Sequence, residues 1–242
     1  MSFLAHDRLS ELWDFSDPAA SEARFREEAE REGATSPAGQ ELRTQEARAL
    51  GLQGRFADGD AILDSIENPA GLVAVRVVIE RGRLRNSAGD REEASNHFHQ
   101  ALDLARAGKF DYLAVDAAHM LAISDSERAD QWDRIALALI DESDDPAVKG
   151  WAVALRNNRG WSLHGQGALE EALVEFELAR DAAEHFGSPF QFHVAKWAVA
   201  RCLRSLGRND ESLAIQEELF ANDPEDEWVV EELAFLRGQP AP

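Results

Sequence analysis

Residue types able to do acid–base or metal chemistry are present, but their spacing assembles no site. His97 and His99 lie two apart, so on a helix their side chains diverge and chelate poorly. His119, His164, His185 and His193 show no metal-ligand spacing. Neither a Gly-rich phosphate loop nor a nucleophile elbow occurs. The acid pairs Glu92-Glu93 and Glu170-Glu171 recur just past a turn, where the positive end of a helix dipole accounts for them. Cys202, the single cysteine, sits in the apolar stretch Trp197-Ala-Val-Ala-Arg-Cys-Leu and reads as a buried, inert thiol in a reducing compartment. No catalytic residue, metal or cofactor is therefore expected, and the chain is not expected to be an enzyme. What remains is recognition chemistry: fork-shaped donors in Arg83 and Arg201, aromatic anchors in Trp161 and Trp197, and an amide in Asn157.

The elements that must position these groups are visible as an internal repeat. In Gly82…Gly89-Asp-Arg-Glu-Glu-Ala94-Ser-Asn-His-Phe98-His-Gln-Ala101 a Gly is followed by a turn Gly, then Ala, Phe and Ala in fixed register. Gly160…Gly167-Ala-Leu-Glu-Glu-Ala172-Leu-Val-Glu-Phe176-Glu-Leu-Ala179 repeats it. Five turns at Gly54, Gly89, Ser124, Gly167 and Gly207 mark five helical hairpins, spaced 35, 35, 43 and 40 residues apart. The first helix carries a small residue where two backbones approach: Ala47, Gly82, Ala117, Gly160 and Ala200. The second helix should carry a large residue nine positions past the turn, where Leu63, Phe98, Asp133, Phe176 and Gln216 fall. Asp133 and Gln216 break the pattern, and Trp132 and Ile215 are expected to substitute after a slight rotation.

Outside the repeats, residues 1–36 read as two helices. The first runs from about His6 to Trp13; the second starts at Ser16-Asp17-Pro18 and stops at Gly33. They cap one end; the repeats occupy 37–226, and a helix of about Glu227 to Leu236, followed by a frayed Gln-Pro-Ala-Pro tail, caps the other (227–242). No strand pattern is convincing.

With 242 residues and 44% hydrophobic composition, the chain can bury a sizeable core. Its net charge of −21 argues against a nucleic-acid partner and against an anionic membrane surface. No secretory signal and no apolar run long enough to span a membrane is read, so a cytoplasmic protein is expected.

The register of small, Ala, Phe and Ala resembles the tetratricopeptide repeat family over about residues 40–224, most closely in 75–106 and 150–184. Pro224 also falls where that family often ends a repeat, although the family's early first-helix aromatic is missing in most copies and Gly59 replaces its usual Ala. The resemblance implies an all-α, right-handed superhelical solenoid whose first helices line a concave face. First helices sum to +6 and second helices to −17, so this arrangement would give an acidic protein a basic inner surface that favours an anionic ligand or acidic peptide. Carried over by position, the groove would present Glu41, Thr44 and Arg48, then Arg76, Ile79, Arg83 and Asn86, then Ala114, Ala118 and Leu121. Asn157, Trp161 and His164 would follow, with Val194, Trp197, Arg201 and Arg204 last. The small Ala114 and Ala118 would leave room for an entering side chain. The Lys residues of the family's C-terminal carboxylate clamp are absent, and that clamp is not assigned.

The expected function is a protein-interaction adaptor or scaffold that binds a peptide or partner segment. The alternative is a sensory module for a small anionic ligand or signalling peptide. Self-association through the terminal helices, with Trp13, Phe15, Trp228 and Phe235, stays open. Two further readings also stay open: Trp161 and Trp197 as inter-helix packing residues, and Arg201 and Arg204 paired with Glu217, Glu218 or neighbouring helices.

Overall fold

A computed structural model describes residues 6–238. The Gln-Pro-Ala-Pro tail and the first five residues lie outside them. Among the described residues every regular element is helical. The chain divides into two compact units, Met1–Leu139 and Ile140–Pro242.

Unit 1 begins with α1 (His6–Leu12) and α2 (Pro18–Glu32). Asp17 caps α2 by accepting the Ala20 amide, Pro18 opens its first turn, and Gly33 ends it at φ 85°. Phe25 and Ala29 of α2 pack with Leu9 of α1 and Leu42 of α3 (Pro37–Leu52). Hairpins follow: α3 with α4 (Phe56–Asp64), then α5 (Leu72–Ser87) with α6 (Arg91–Gly108). The β-branched run Val73–Ile79 lies inside α5, because packing against Ala47, Leu63 and Ile66 outweighs its strand propensity. After α7 (Asp111–Ser124) comes a short 3₁₀ turn, Ser126–Arg128, and then α8 (Ala129–Glu142), whose last residues belong to unit 2.

Unit 2 continues with a short α9 (Pro146–Lys149), α10 (Trp151–Gly165), α11 (Leu169–Phe186), α12 (Pro189–Ser205), α13 (Asn209–Asn222) and α14 (Glu227–Leu236). Consecutive helices pack on one another, and α12 also touches both α10 and α14. Two of the connections in unit 2 end in helix caps. Asp145 accepts the Ala147 amide, and Ser188 forms a reciprocal capping box with Gln191.

Close helix approach explains the repeat register. A Cβ built on Gly82 would lie 2.5 Å from the Phe98 ring, and one on Gly160 would lie 2.6 Å from the Phe176 ring. Both rings are fully buried, which contributes roughly 2–3 kcal/mol each. Where the small residue is Ala47 or Ala200, the facing position holds the slimmer Leu63 or Gln216. The hairpin turns at Gly54, Gly89, Gly167 and Gly207 all take positive φ, between 75° and 90°, which only glycine adopts without strain.

Two departures from the register resolve differently. In the third repeat Trp132 is buried and donates its indole N–H to Asp125 Oδ2 at 3.0 Å, as the rotation implies. In the fifth repeat the expectation fails. Gln216 takes the inward position, fully buried, while Ile215 is half-buried against Leu219 and Val229. The neighbouring Ser212 hydroxyl donates to the Ala200 carbonyl at 2.8 Å and fixes the helix in that rotation. The Gln216 amide nitrogen and oxygen are both buried and make no hydrogen bond among the described residues.

Candidate functional site

The first-helix residues of unit 1 gather into a buried ionic cluster. Arg76 Nε donates to Glu41 Oε1 at 2.9 Å, with both residues buried. Arg83 reaches Glu80 through one terminal nitrogen at 2.5 Å and Asp116 through the other at 2.6 Å. Arg48 lies over the Trp13 and Phe15 rings at 5.2 and 5.6 Å, beside Arg83, Glu80 and Asp116. Burial and the adjacent Arg83 cation hold the Arg48 guanidinium below its usual value. Burial alone would push the Asp116 carboxyl up, but Arg83 and Arg48 more than offset this and hold it below the usual carboxylate range. The three arginines thus face three carboxylates, Glu41, Glu80 and Asp116.

Two sequence expectations change here. Ala114 and Ala118 are buried and leave no open notch, because the α7 face that carries them packs into the core of unit 1. Glu41, Thr44, Ile79 and Leu121 are likewise buried rather than lining an open surface. Asn86 is half-buried near the end of α5.

Unit 2 is built differently. Three tryptophans on three helices form a row. The Trp161 ring of α10 is 6.0 Å from Trp197 of α12, and Trp197 is 5.9 Å from Trp228 of α14. Phe176 meets Trp161 edge-on at 4.8 Å and anchors the row to the core. Asn157 sits one turn before Trp161, half-buried, and its Oδ1 makes no hydrogen bond among the described residues. The Trp197 indole nitrogen is equally without a partner there. His164 meets the Trp161 ring edge-on at 5.3 Å and shares a 2.9 Å hydrogen bond with Ser205. Burial, then the nearby Arg201 cation, lower its pKa and favour the neutral ring.

Beside Trp197 lie Arg201 and Arg204, and between α12 and α14 a cavity of about 350 Å³ opens. The α12 side supplies Trp197, Arg201 and Arg204, and the α14 side supplies Trp228, Glu231, Glu232 and Phe235. Arg201 Nε approaches Glu232 at 3.1 Å and Arg204 Nε approaches it at 3.0 Å. The Arg204 guanidinium lies 4.1 Å from the centre of the Phe235 ring. Burial pushes the Glu232 carboxyl up, and the two arginines do not fully reverse it.

Among the sequence-expected residues, the structure thus brings Trp161, His164, Trp197, Arg201 and Arg204 to one surface of unit 2. Arg48, Arg76 and Arg83 form a separate cluster in unit 1. The α14 contribution was missed, although its spacing was readable: Trp228, Glu232 and Phe235 repeat the i, i+4, i+7 spacing of Trp197, Arg201 and Arg204. The acids proposed as partners for Arg201 and Arg204 go elsewhere: Glu218 to Lys196 and Glu217 to Arg237. Neither His97 nor His99 enters this surface. Burial keeps the Cys202 thiol protonated, pushed up to about 11.

No protein-family model and no curated protein matches the chain. Solved structures do. BtubC (BKLC) from P. vanneervenii is similar over 95% of this chain and 95% of its own, at a TM-score of 0.63 and 16% identity. The apo form of the quorum sensor NprR from B. thuringiensis is similar over 92% of this chain and 64% of its own, at a TM-score of 0.59 and 14% identity. At such identities the likeness establishes fold. Joined to the Gly82–Phe98 and Gly160–Phe176 contacts, it makes this an all-α protein of tetratricopeptide-like helical hairpins.

Proposed function

We propose that the protein is a non-enzymatic binding module that holds a peptide or partner segment on the α10–α12–α14 surface of unit 2. The observation that carries this reading is the Trp161–Trp197–Trp228 row with Arg201 and Arg204 beside it. Three large aromatics at helical-hairpin spacing suit an extended chain, whose successive side chains can each rest on one ring. An acidic partner would engage the guanidinium donors that Arg201 and Arg204 do not spend in hydrogen bonds to Glu232, beside a lining that also holds Glu231. A second reading is favoured by the cavity itself. At about 350 Å³ it falls at the small end of roughly 300–1,000 Å³ for small-ligand sites, which suits a sensory module. The similarity to a quorum sensor fits that reading at the level of fold. Among the described residues no helix is long and apolar enough to cross a membrane.

The test is a random-peptide display screen against wild type and against a Trp161→Ala, Trp197→Ala, Arg201→Glu triple variant of equal helicity. Peptides retained by wild type and lost by the variant support the assignment. Peptides retained equally by both would sink it.

A further inference from the structure

The cavity between α12 and α14 already contains chemistry of its own. Glu232 and Phe235 lie one turn apart on α14, the carboxylate on both arginines and the ring under Arg204. An acid and an aromatic group from the chain itself thus occupy the arginine pair.

That occupancy is incomplete. Each arginine's nearest approach to Glu232 is through Nε, at 3.1 and 3.0 Å, and Glu232 Oε2 takes a hydrogen bond from neither, so the two-pronged contact that a guanidinium can offer is not made. Glu232 Oε2 is buried and lacks a hydrogen bond of good geometry. Among the described residues, Arg201 spends one terminal nitrogen on Ser205 at 2.9 Å, and the Arg204 guanidinium lies against the Phe235 ring. Glu231 also lines the cavity, so the capacity for a second carboxylate lies in the guanidinium donors that the poorly seated Glu232 leaves unspent. Trp228 and Phe235 are 60% and 64% exposed and form an apolar rim on the same cavity.

Resting on the unit 2 binding surface proposed above, we propose that this cavity binds a carboxylate joined to an aromatic ring, the carboxylate taking the arginine pair from Glu232 and the ring resting between Trp228 and Phe235. Glu232 is then a built-in competitor that sets the affinity threshold of the site. Such a ligand comes either as a free aromatic acid or as an acidic residue beside an aromatic one in a peptide.

Two probes test this on the full-length protein by calorimetric titration: N-acetylphenylalanine, and the acetylated, amidated pentapeptide Glu-Glu-Leu-Ala-Phe, which copies residues 231–235. N-acetylphenylalanine amide is the control. Binding of the free acid, at least tenfold tighter than the amide, supports the proposal with a free acid as source. Binding of the peptide alone supports it with a peptide as source. In either case Glu232→Gln should tighten binding about tenfold and Arg204→Gln should abolish it, with thermal melts confirming that both variants fold. Equal binding of acid and amide, no tightening in Glu232→Gln, or no binding of either probe even to Glu232→Gln overturns it. If the display screen finds Trp161- and Trp197-dependent peptides while these probes fail, the ligand chemistry falls and the surface assignment stands.

Discussion

In the unit 1 cluster three arginines sit among three carboxylates, and Arg83 alone holds two of them; in unit 2 pairs of arginines divide one. Arg48, Arg76 and Arg83 face the buried carboxylates Glu41, Glu80 and Asp116, with Arg48 and Arg83 themselves half-buried. Arg156 and Arg159 divide Glu175, and Arg201 and Arg204 divide Glu232. Helix sums do not reveal this. The α5 segment carries an excess of arginine, yet its neighbours α3 and α7 bring the carboxylates that consume it. The partner that each arginine finds, rather than the charge summed along its helix, decides how firmly each cluster is held.

The largest expected effect tests the structural side of that contrast. Asp116→Ala leaves Arg83 and Arg48 with Glu80 as their one shared anion and should cost about 3 kcal/mol in denaturant unfolding. A loss below about 1 kcal/mol would mean that the unit 1 cluster is a wet, available site after all.

Next comes Gly160→Ala. Its Cβ would stand 2.6 Å from the Phe176 ring, so overpacking should cost about 1–3 kcal/mol. Adding Phe176→Leu recreates the Ala47–Leu63 combination of the first repeat and should recover part of the loss. If the double variant is no more stable than the single one, the register is not set by this contact.

Gln216→Leu should instead stabilise the protein by about 1–3 kcal/mol, because it removes two buried polar atoms that make no hydrogen bond. A destabilised variant would show that the amide is hydrogen-bonded in solution.

The smallest effect concerns pH, and the two units should respond with opposite sign. Asp116 has a folded pKa below its unfolded one, so its stabilisation is present at neutral pH and is lost as pH falls through the lowered value. Glu232 has a folded pKa above its unfolded one, so the folded state gains protons there and loses stability as pH rises through the raised value. Glu232→Gln should therefore flatten the stability–pH curve just above the usual carboxylate range, and an unchanged curve would contradict the burial of that carboxyl.

Much of the fold was legible because close packing writes itself into residue size. Gly82 with Phe98 and Gly160 with Phe176 stand in the same register and make the same contact. The start of α2 at Asp17-Pro18 was equally readable, since a cap depends on near neighbours in sequence. Gln216 was misread because Ile215 is the more apolar choice, and only the Ser212 hydrogen bond to Ala200 on another helix decides the rotation. The unit 1 cluster was misread for a similar reason: which arginine meets which carboxylate depends on residues more than thirty positions apart. Glu232 was invisible as a partner of Arg201 and Arg204 because α14 was read as a terminal cap, without asking what its polar side would face.

The contact between a bare glycine and a phenylalanine sixteen residues later also has a hereditary consequence. The two positions behave as one inherited character. Exchange of a whole hairpin transmits both halves intact. A crossover between its two helices joins Ala to Phe, which collide, or Gly to a slimmer residue, which leaves a hole. Descendants of this chain should therefore vary by trading complete hairpins, and any lineage that loses the glycine should be found to have lost the aromatic ring first.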